Sequence, residues 1–250
     1  MDCVHTLLNL QHVLILHAAF FMETFAQKVI NFHRQLELNQ TLQEVEVMNP
    51  FKKPEVMGLV EQFFLKYFSD HNSRSFLFGI NPGRHGAGIT GISFTDPVNL
   101  EEKCGIKNDF DKKHELSSLF IYQVIEAYGG PEKFYKSFFV TAISPLGFTK
   151  NGININYYDE KPLQQSLEPF INETMLKQVA LGARRKCAIC IGGGKNYKFM
   201  KQLNDSLKIF EEIIPLDHPR FIMQYRRKVV GEYVKKYLDA LNYCESQNLS

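Results

Sequence analysis

Four short, continuous apolar runs constrain this chain most: SFLFGI (75–80), FFVTAI (138–143), KCAICI (186–191) and IFEEIIPL (209–216). Runs of this length, bounded by turn residues, suit strands buried on both faces of a parallel sheet. Between and around them lie stretches with apolar residues at helical spacing: METFAQKVINFHRQL (22–36), VMGLVEQFFLKYF (56–68), HELSSLFIYQVIEAYGG (114–130) and GEYVKKYLDALNYC (231–244). Because the elements alternate, the pattern predicts a layered α/β fold. Each run also leads into a polar loop containing Gly or Pro. These are Asn81-Pro82-Gly83, Ser144-Pro145-Leu146-Gly147, Gly192-Gly193-Gly194-Lys195 and Asp217-His218-Pro219-Arg220. In a parallel sheet all four loops lie at the carboxyl edge, where open α/β folds bind ligands.

At 250 residues and 44% hydrophobic content, the chain can bury one sizeable core. The expected organisation is one domain over residues 22–250, preceded by a helical extension or non-native leader over 1–21. The apolar stretch VLILHAAFFM (13–22) is too short to span a bilayer, and no Lys or Arg precedes Lys28. Neither a membrane segment nor a secretory leader is expected. A net charge of +2 demands no polyanionic partner, so any nucleic-acid surface must come from local clustering. Five cysteines, an odd number, point to a reduced intracellular (cytoplasmic) compartment.

Several motifs are tempting and fail on spacing. Asn81 and Pro82 break a dinucleotide G-x-G-x-x-G, and GGGKN lacks the spacing and the Ser or Thr of a P-loop. The better reading of the latter is a tight turn with Lys195 facing an anion. Cys187 and Cys190 form C-x-x-C inside a strand, where residues three apart point to opposite faces, so they read as buried structural thiols. No metal or cofactor is expected. His218 and Asn81 are the informative pair. Across one crevice, an imidazole can donate to developing negative charge and an amide can orient a water. That chemistry suits hydrolysis of a bond whose leaving group departs as a stabilised anion.

GINPG (79–83), GITGISF (88–94), ISPLGF (143–148) and HPR (218–220), in that order, resemble the uracil-DNA glycosylase superfamily. TGISF, with Gly105-Ile106 beyond it, and ELSSLF (115–120) look closest to its single-strand-selective monofunctional branch. The resemblance runs from about residue 75 to 230. It implies a three-layer α/β/α sandwich with a central four-stranded parallel sheet. It also implies excision of uracil from DNA without a metal and without lyase activity, by a monomer that meets DNA, single- or double-stranded, in the cell.

By the same resemblance, Asn81 positions the attacking water and His218 stabilises the departing base. Phe94 stacks on the base, while Ile80 and Gly83 line the pocket. The branch carries a base-reading Asn where Ala142 stands here, so Ser144, two residues on, is the nearest polar replacement. Activity on deaminated purines beside uracil is therefore expected. The segment RFIMQYRRK (220–228) interleaves the wedge candidates Phe221, Ile222 and Met223 with Arg220, Arg226 and Arg227, and Arg84 and Lys195 are further expected DNA contacts. Two rivals remain: a nucleoside or nucleotide glycosidase, and a catalytically inactive nucleic-acid-binding module on the same scaffold.

Overall fold

The structure is a computed structural model and describes residues 23–249; the expectation for residues 1–21 lies outside the described residues. The chain runs through α1 (Phe25–Arg34), β1 (Glu46–Met48), α2 (Pro54–Phe68) and β2 (Ser75–Gly79). Two short helices, α3 (Ala87–Thr90) and α4 (Pro97–Glu102), lead to α5 (Leu116–Tyr128) and α6 (Pro131–Ser137). Next come β3 (Phe138–Ala142), β4 (Gly147–Lys150), β5 (Ile153–Ile155) and the long α7 (Lys161–Ala180). The chain closes with β6 (Cys187–Ile191), α8 (Lys195–Leu207), β7 (Glu212–Leu216), α9 (Pro219–Tyr225) and α10 (Val230–Leu249).

The four apolar runs supply the four strands of a sheet ordered β3-β2-β6-β7, parallel throughout. β2 and β6 are buried along their whole length, as a central position requires. The fourth run becomes a strand only at Glu212, and at the edge of the sheet it is partly exposed. Its first residues, Ile209 and Phe210, are buried below the strand, their amides donating to Asn204 Oδ1. Helices cover both faces of the sheet. Cys190 Sγ accepts from Asn196 of α8, whereas Cys244 of α10 donates to the Cys187 carbonyl, so residues three apart on β6 meet different helices. The fold is thus the three-layer α/β/α sandwich. Burial pushes the Cys190 thiol up to about 12, so it stays protonated and unreactive.

Helices α6 and α8 were not anticipated, and neither were two further features. One is α7, whose polar composition and internal Pro169 disguise a buried stripe of Leu163, Leu167, Phe170, Ile171 and Thr174 at helical spacing. The other is a second sheet, antiparallel, ordered β1-β4-β5. Its strands are three or four residues long, too short for period-two alternation to register. Among the described residues, no helix is long and apolar enough to cross a membrane.

The small sheet matters because it presses one loop against another. β4 begins at Gly147, where a Cβ would stand 2.5 Å from the Pro82 carbonyl oxygen and would also meet Met48. Gly147 therefore lets the loop after β3 lie directly on the loop after β2. Gly147→Ala is expected to cost about 1–3 kcal/mol, since the clash is with backbone. A urea-denaturation midpoint indistinguishable from wild type would show that the two loops are not in tight contact.

Candidate active site

A cavity of about 430 Å³ opens at the carboxyl edge of the sheet, a size usual for small-molecule sites. Seven of the residues singled out in the sequence line it: Ile80, Asn81, Gly83, Phe94, Ala142, His218 and Arg220. They come from the segments following β2 and β7 and from the last residue of β3, whose own following loop (144–147) does not line the cavity. The loop after β6 does not reach it.

Asn81 is held from both ends. Its Oδ1 accepts from the Tyr157 amide at 3.1 Å, and its Nδ2 donates to the Ile155 carbonyl at 3.3 Å and more weakly to the Pro82 carbonyl at 3.4 Å. In an extended segment the carbonyl of one residue and the amide two further on point to the same side, so the carboxamide sits where a β-bridge partner would. Its orientation is fixed. Both Nδ2 hydrogens are used, and what remains is the second lone pair of Oδ1, an acceptor.

His218 is the N-cap of α9. Its Nδ1 accepts from the Arg220 amide at 3.2 Å, which leaves the proton of the neutral ring on Nε2. Burial, and secondarily the Arg220 charge, lower its pKa from 6.5 to about 4. At neutral pH the ring is therefore an uncharged donor.

Phe94 takes a left-handed backbone conformation (φ 51°), uncommon for a bulky residue. Its ring lies 5.9 Å from the His218 ring. The turn is braced by Thr90 Oγ1 donating to the Thr95 carbonyl at 2.6 Å, and by Thr95 Oγ1 meeting Tyr122 OH at 3.1 Å. Gly79 makes room for the ring, since a Cβ there would stand 2.9 Å from it. Ala142 ends β3 with its carbonyl accepting from Gln178 at 3.2 Å, and the residue lines the cavity. Behind it lies a recess of about 20 Å³ lined by His33, whose pKa burial lowers to about 3.

Some expected positions are not part of this cavity. Ser144 is fully buried and its hydroxyl donates to the Leu146 carbonyl at 2.9 Å, so it cannot replace a missing base-reading amide. Lys195 is exposed at the start of α8, away from the cavity lining. Ile222 and Met223 are core residues, because α9 turns them inward against the rest of the fold. Phe221, Arg84, Arg226 and Arg227 are exposed outside the cavity. Tyr225, not singled out in the sequence, lies one helical turn after Phe221 with ring centroids 5.5 Å apart, and the Arg226 guanidinium stands 5.3 Å over the Phe221 ring.

Other lining residues were also missed: His85, His114, Glu115, Asn154 and Asn156. The two asparagines sit on and just after β5, in the NGININ stretch, and only the hairpin brings them to the cavity. His114 Nδ1 lies 3.6 Å from Asp96 Oδ2, a fully buried carboxylate that also caps α4.

A clamped acceptor, a neutral imidazole donor and an aromatic ring thus share one cavity. That set can orient a water, stabilise a departing anion and hold a flat ring. The family profile of the uracil DNA glycosylase superfamily matches residues 65–242. No curated protein matches the chain. The chain is similar to wild-type Pedobacter heparinus SMUG2, known from a crystal structure, at 44% identity and a TM-score of 0.86; the match covers 89% of this chain and 98% of that one.

The lowered pKa of His218 sets a sign for pH dependence. The unfolded ring takes up its proton near 6.5 and the folded ring only near 4, so acidification through that window disfavours the folded state and removes the neutral donor only at its lower end. Single-turnover base release is expected to be flat from neutral pH down to about 5, falling only as pH approaches the lowered value. A break at the ordinary histidine value would mean the ring is freely solvated.

Proposed function

The chain belongs to the uracil DNA glycosylase superfamily, and on that footing we propose that it hydrolyses the N-glycosidic bond of uracil in DNA by a monofunctional route. The protein is a DNA glycosylase; the finer reading rests on the polar pair in the cavity. A base inside a duplex is out of reach of such a cavity, so the nucleotide must be extruded into it or arrive single-stranded. Phe94 then stacks on the base, and the Ile80 and Gly83 backbone forms the floor.

Asn81 offers one lone pair to a water, holding it against the anomeric carbon. His218 donates Nε2–H to the base as negative charge develops there. A preorganised neutral donor in a dry site stabilises that charge without reorganising. The exposed basic segment supports a polymeric substrate over a free nucleoside: Arg220 stands at the cavity, and Arg226 and Arg227 lie beyond it. Phosphate contacts there would position the strand, with Phe221 as the exposed wedge.

The observation that carries this reading is the Asn81 amide locked between Ile155 and Tyr157 in the cavity that His218 enters. Asn81→Ala is expected to lower single-turnover excision of uracil by about a hundredfold or more while DNA affinity stays close to wild type. Excision at an undiminished rate would remove Asn81 from the mechanism.

Base range follows from Ala142. An amide on the base edge rejects bases that leave it unpaired in a dry pocket; a methyl imposes no such penalty. Ser144 is tied into its own turn and does not restore it. We therefore expect activity on at least one deaminated purine, hypoxanthine or xanthine, beside uracil, and narrowing of that range by Ala142→Asn. A panel of single-lesion oligonucleotides, single- and double-stranded, checks both variants. Strict uracil activity in the wild type would move selectivity to the backbone around Ile80 and Phe94.

A further inference from the structure

Asn156 is the residue between the two backbone groups that hold Asn81, and it lines the same cavity. Its own backbone is turned the other way. The Asn156 amide donates to Asp159 Oδ2 at 2.8 Å, and its carbonyl accepts from the Asp159 amide at 3.0 Å. Its side-chain Nδ2 donates to Asp159 Oδ1 at 3.3 Å. A carboxylate accepts and never donates, so it decides which end of the carboxamide it meets. The nitrogen end belongs to Asp159. The oxygen end has no hydrogen-bond partner among the described residues.

The chemistry needs such an oxygen. A water that attacks carbon must aim a lone pair at it, and it holds that attitude only if both of its hydrogens are engaged. Asn81 can take one: its Nδ2 is spent on carbonyls and its Oδ1 has a single lone pair left. A second fixed acceptor beside it completes the set. We propose that Asn156 is a further catalytic residue, its Oδ1 accepting the second hydrogen of the nucleophilic water, with Asp159 as the positioning residue that keeps that oxygen turned to the cavity. This rests on the reading of Asn81 given above.

In the step itself, the bond from the anomeric carbon to the base nitrogen breaks and its electron pair leaves with the base. The water oxygen forms the new bond to that carbon and its surplus proton passes to solvent. The base anion, hydrogen-bonded by His218 Nε2–H, takes up a proton from solvent on release. Asn156 neither gains nor loses a proton.

The test compares Asn156→Leu, nearly isosteric and without an acceptor, with Asn156→Asp, which keeps one. Both are measured by single-turnover excision of uracil, by DNA affinity and by thermal unfolding. The expected result for Asn156→Leu is a fall in rate on the order of thirtyfold or more with affinity little changed. Asn156→Asp should retain more activity and lose it on acidification at a higher pH than the wild type, whose own acid limb is set by His218, since its carboxyl accepts fully only when ionised. Asp159 sits beside that new carboxylate and would move the limb upward.

A folded Asn156→Leu protein that excises at close to the wild-type rate overturns the proposal. So does an Asn156→Asp pH profile that matches the wild type. If Asn156→Leu does not fold, the Asp profile alone decides. Asn81→Ala run alongside separates the two readings. Loss of activity there with a neutral Asn156→Leu defeats only this inference, whereas full activity in Asn81→Ala defeats the reading beneath it.

Discussion

One side-chain amide closing on another element's backbone sets the geometry of the crevice. Asn81 leaves the parallel sheet at the end of β2, yet its carboxamide is held by the Ile155 carbonyl, at the end of the small antiparallel sheet, and by the Tyr157 amide just beyond it. That hold is only as firm as Tyr157. Its ring is fully buried, and its hydroxyl donates to Asn196 Oδ1 at 2.8 Å. Asn196 in turn donates to the Ile191 carbonyl at 3.1 Å, at the end of β6. The chain of bonds runs from one central strand, through the hairpin, back to the other. Each net bond contributes about 1 kcal/mol, but breaking a buried one leaves a partner unsatisfied at greater cost. Asn81 is therefore positioned by the whole circuit.

Phe94 is built by a different means. Its left-handed backbone stores strain, which persists only where surrounding bonds over-determine it. The Thr90, Thr95 and Tyr122 contacts do that, and Gly79 leaves the space the ring fills. The inner site is thus rigid on both sides. The outer face of α9 is exposed: the Tyr225 ring and the Arg226 guanidinium both lie against the Phe221 ring, with Ile222 and Met223 anchoring the helix beneath. An exposed aromatic and basic face outside and fixed groups inside suit a protein that must take up a strand and then place one base.

The four apolar runs made the parallel sheet legible, because burial on both faces leaves an unbroken signature. Asn81 and His218 were legible for a similar reason: each stands at a strand end among residues that no helix or strand interior would tolerate. What escaped was whatever depends on a neighbour distant in sequence. GGGKN reads as an anion loop, but its structural work is to seat Asn196. Gly192 has φ 121° and a Cβ there would meet Asn196 Cβ at 3.1 Å. Ser144 shares a strand face with Ala142 only while the strand continues, and β3 ends at Ala142. Ile222 and Met223 read as wedges until α9 supplies a buried side. Asn156 carries no local signal at all; its meaning comes from Asn81, which the fold brings beside it.

The groups proposed to do the chemistry are uncharged at neutral pH: an amide, a neutral imidazole and a phenyl ring. The fixed positive charge at the cavity is Arg220, and it is exposed. This follows from where the charge of the reaction arises. A cationic imidazole in the same place would need its own desolvation repaid, and burial together with Arg220 prevents it. A neutral donor gives less stabilisation than a cation, which is enough only for a base whose anion is already tolerable. On the proposed reading the site is therefore matched to leaving groups more acidic than an ordinary base. Bases that form poor anions would, on that reading, be left in place even when they fit beside Ala142, so that leaving ability takes over the discrimination that a base-reading amide would otherwise provide.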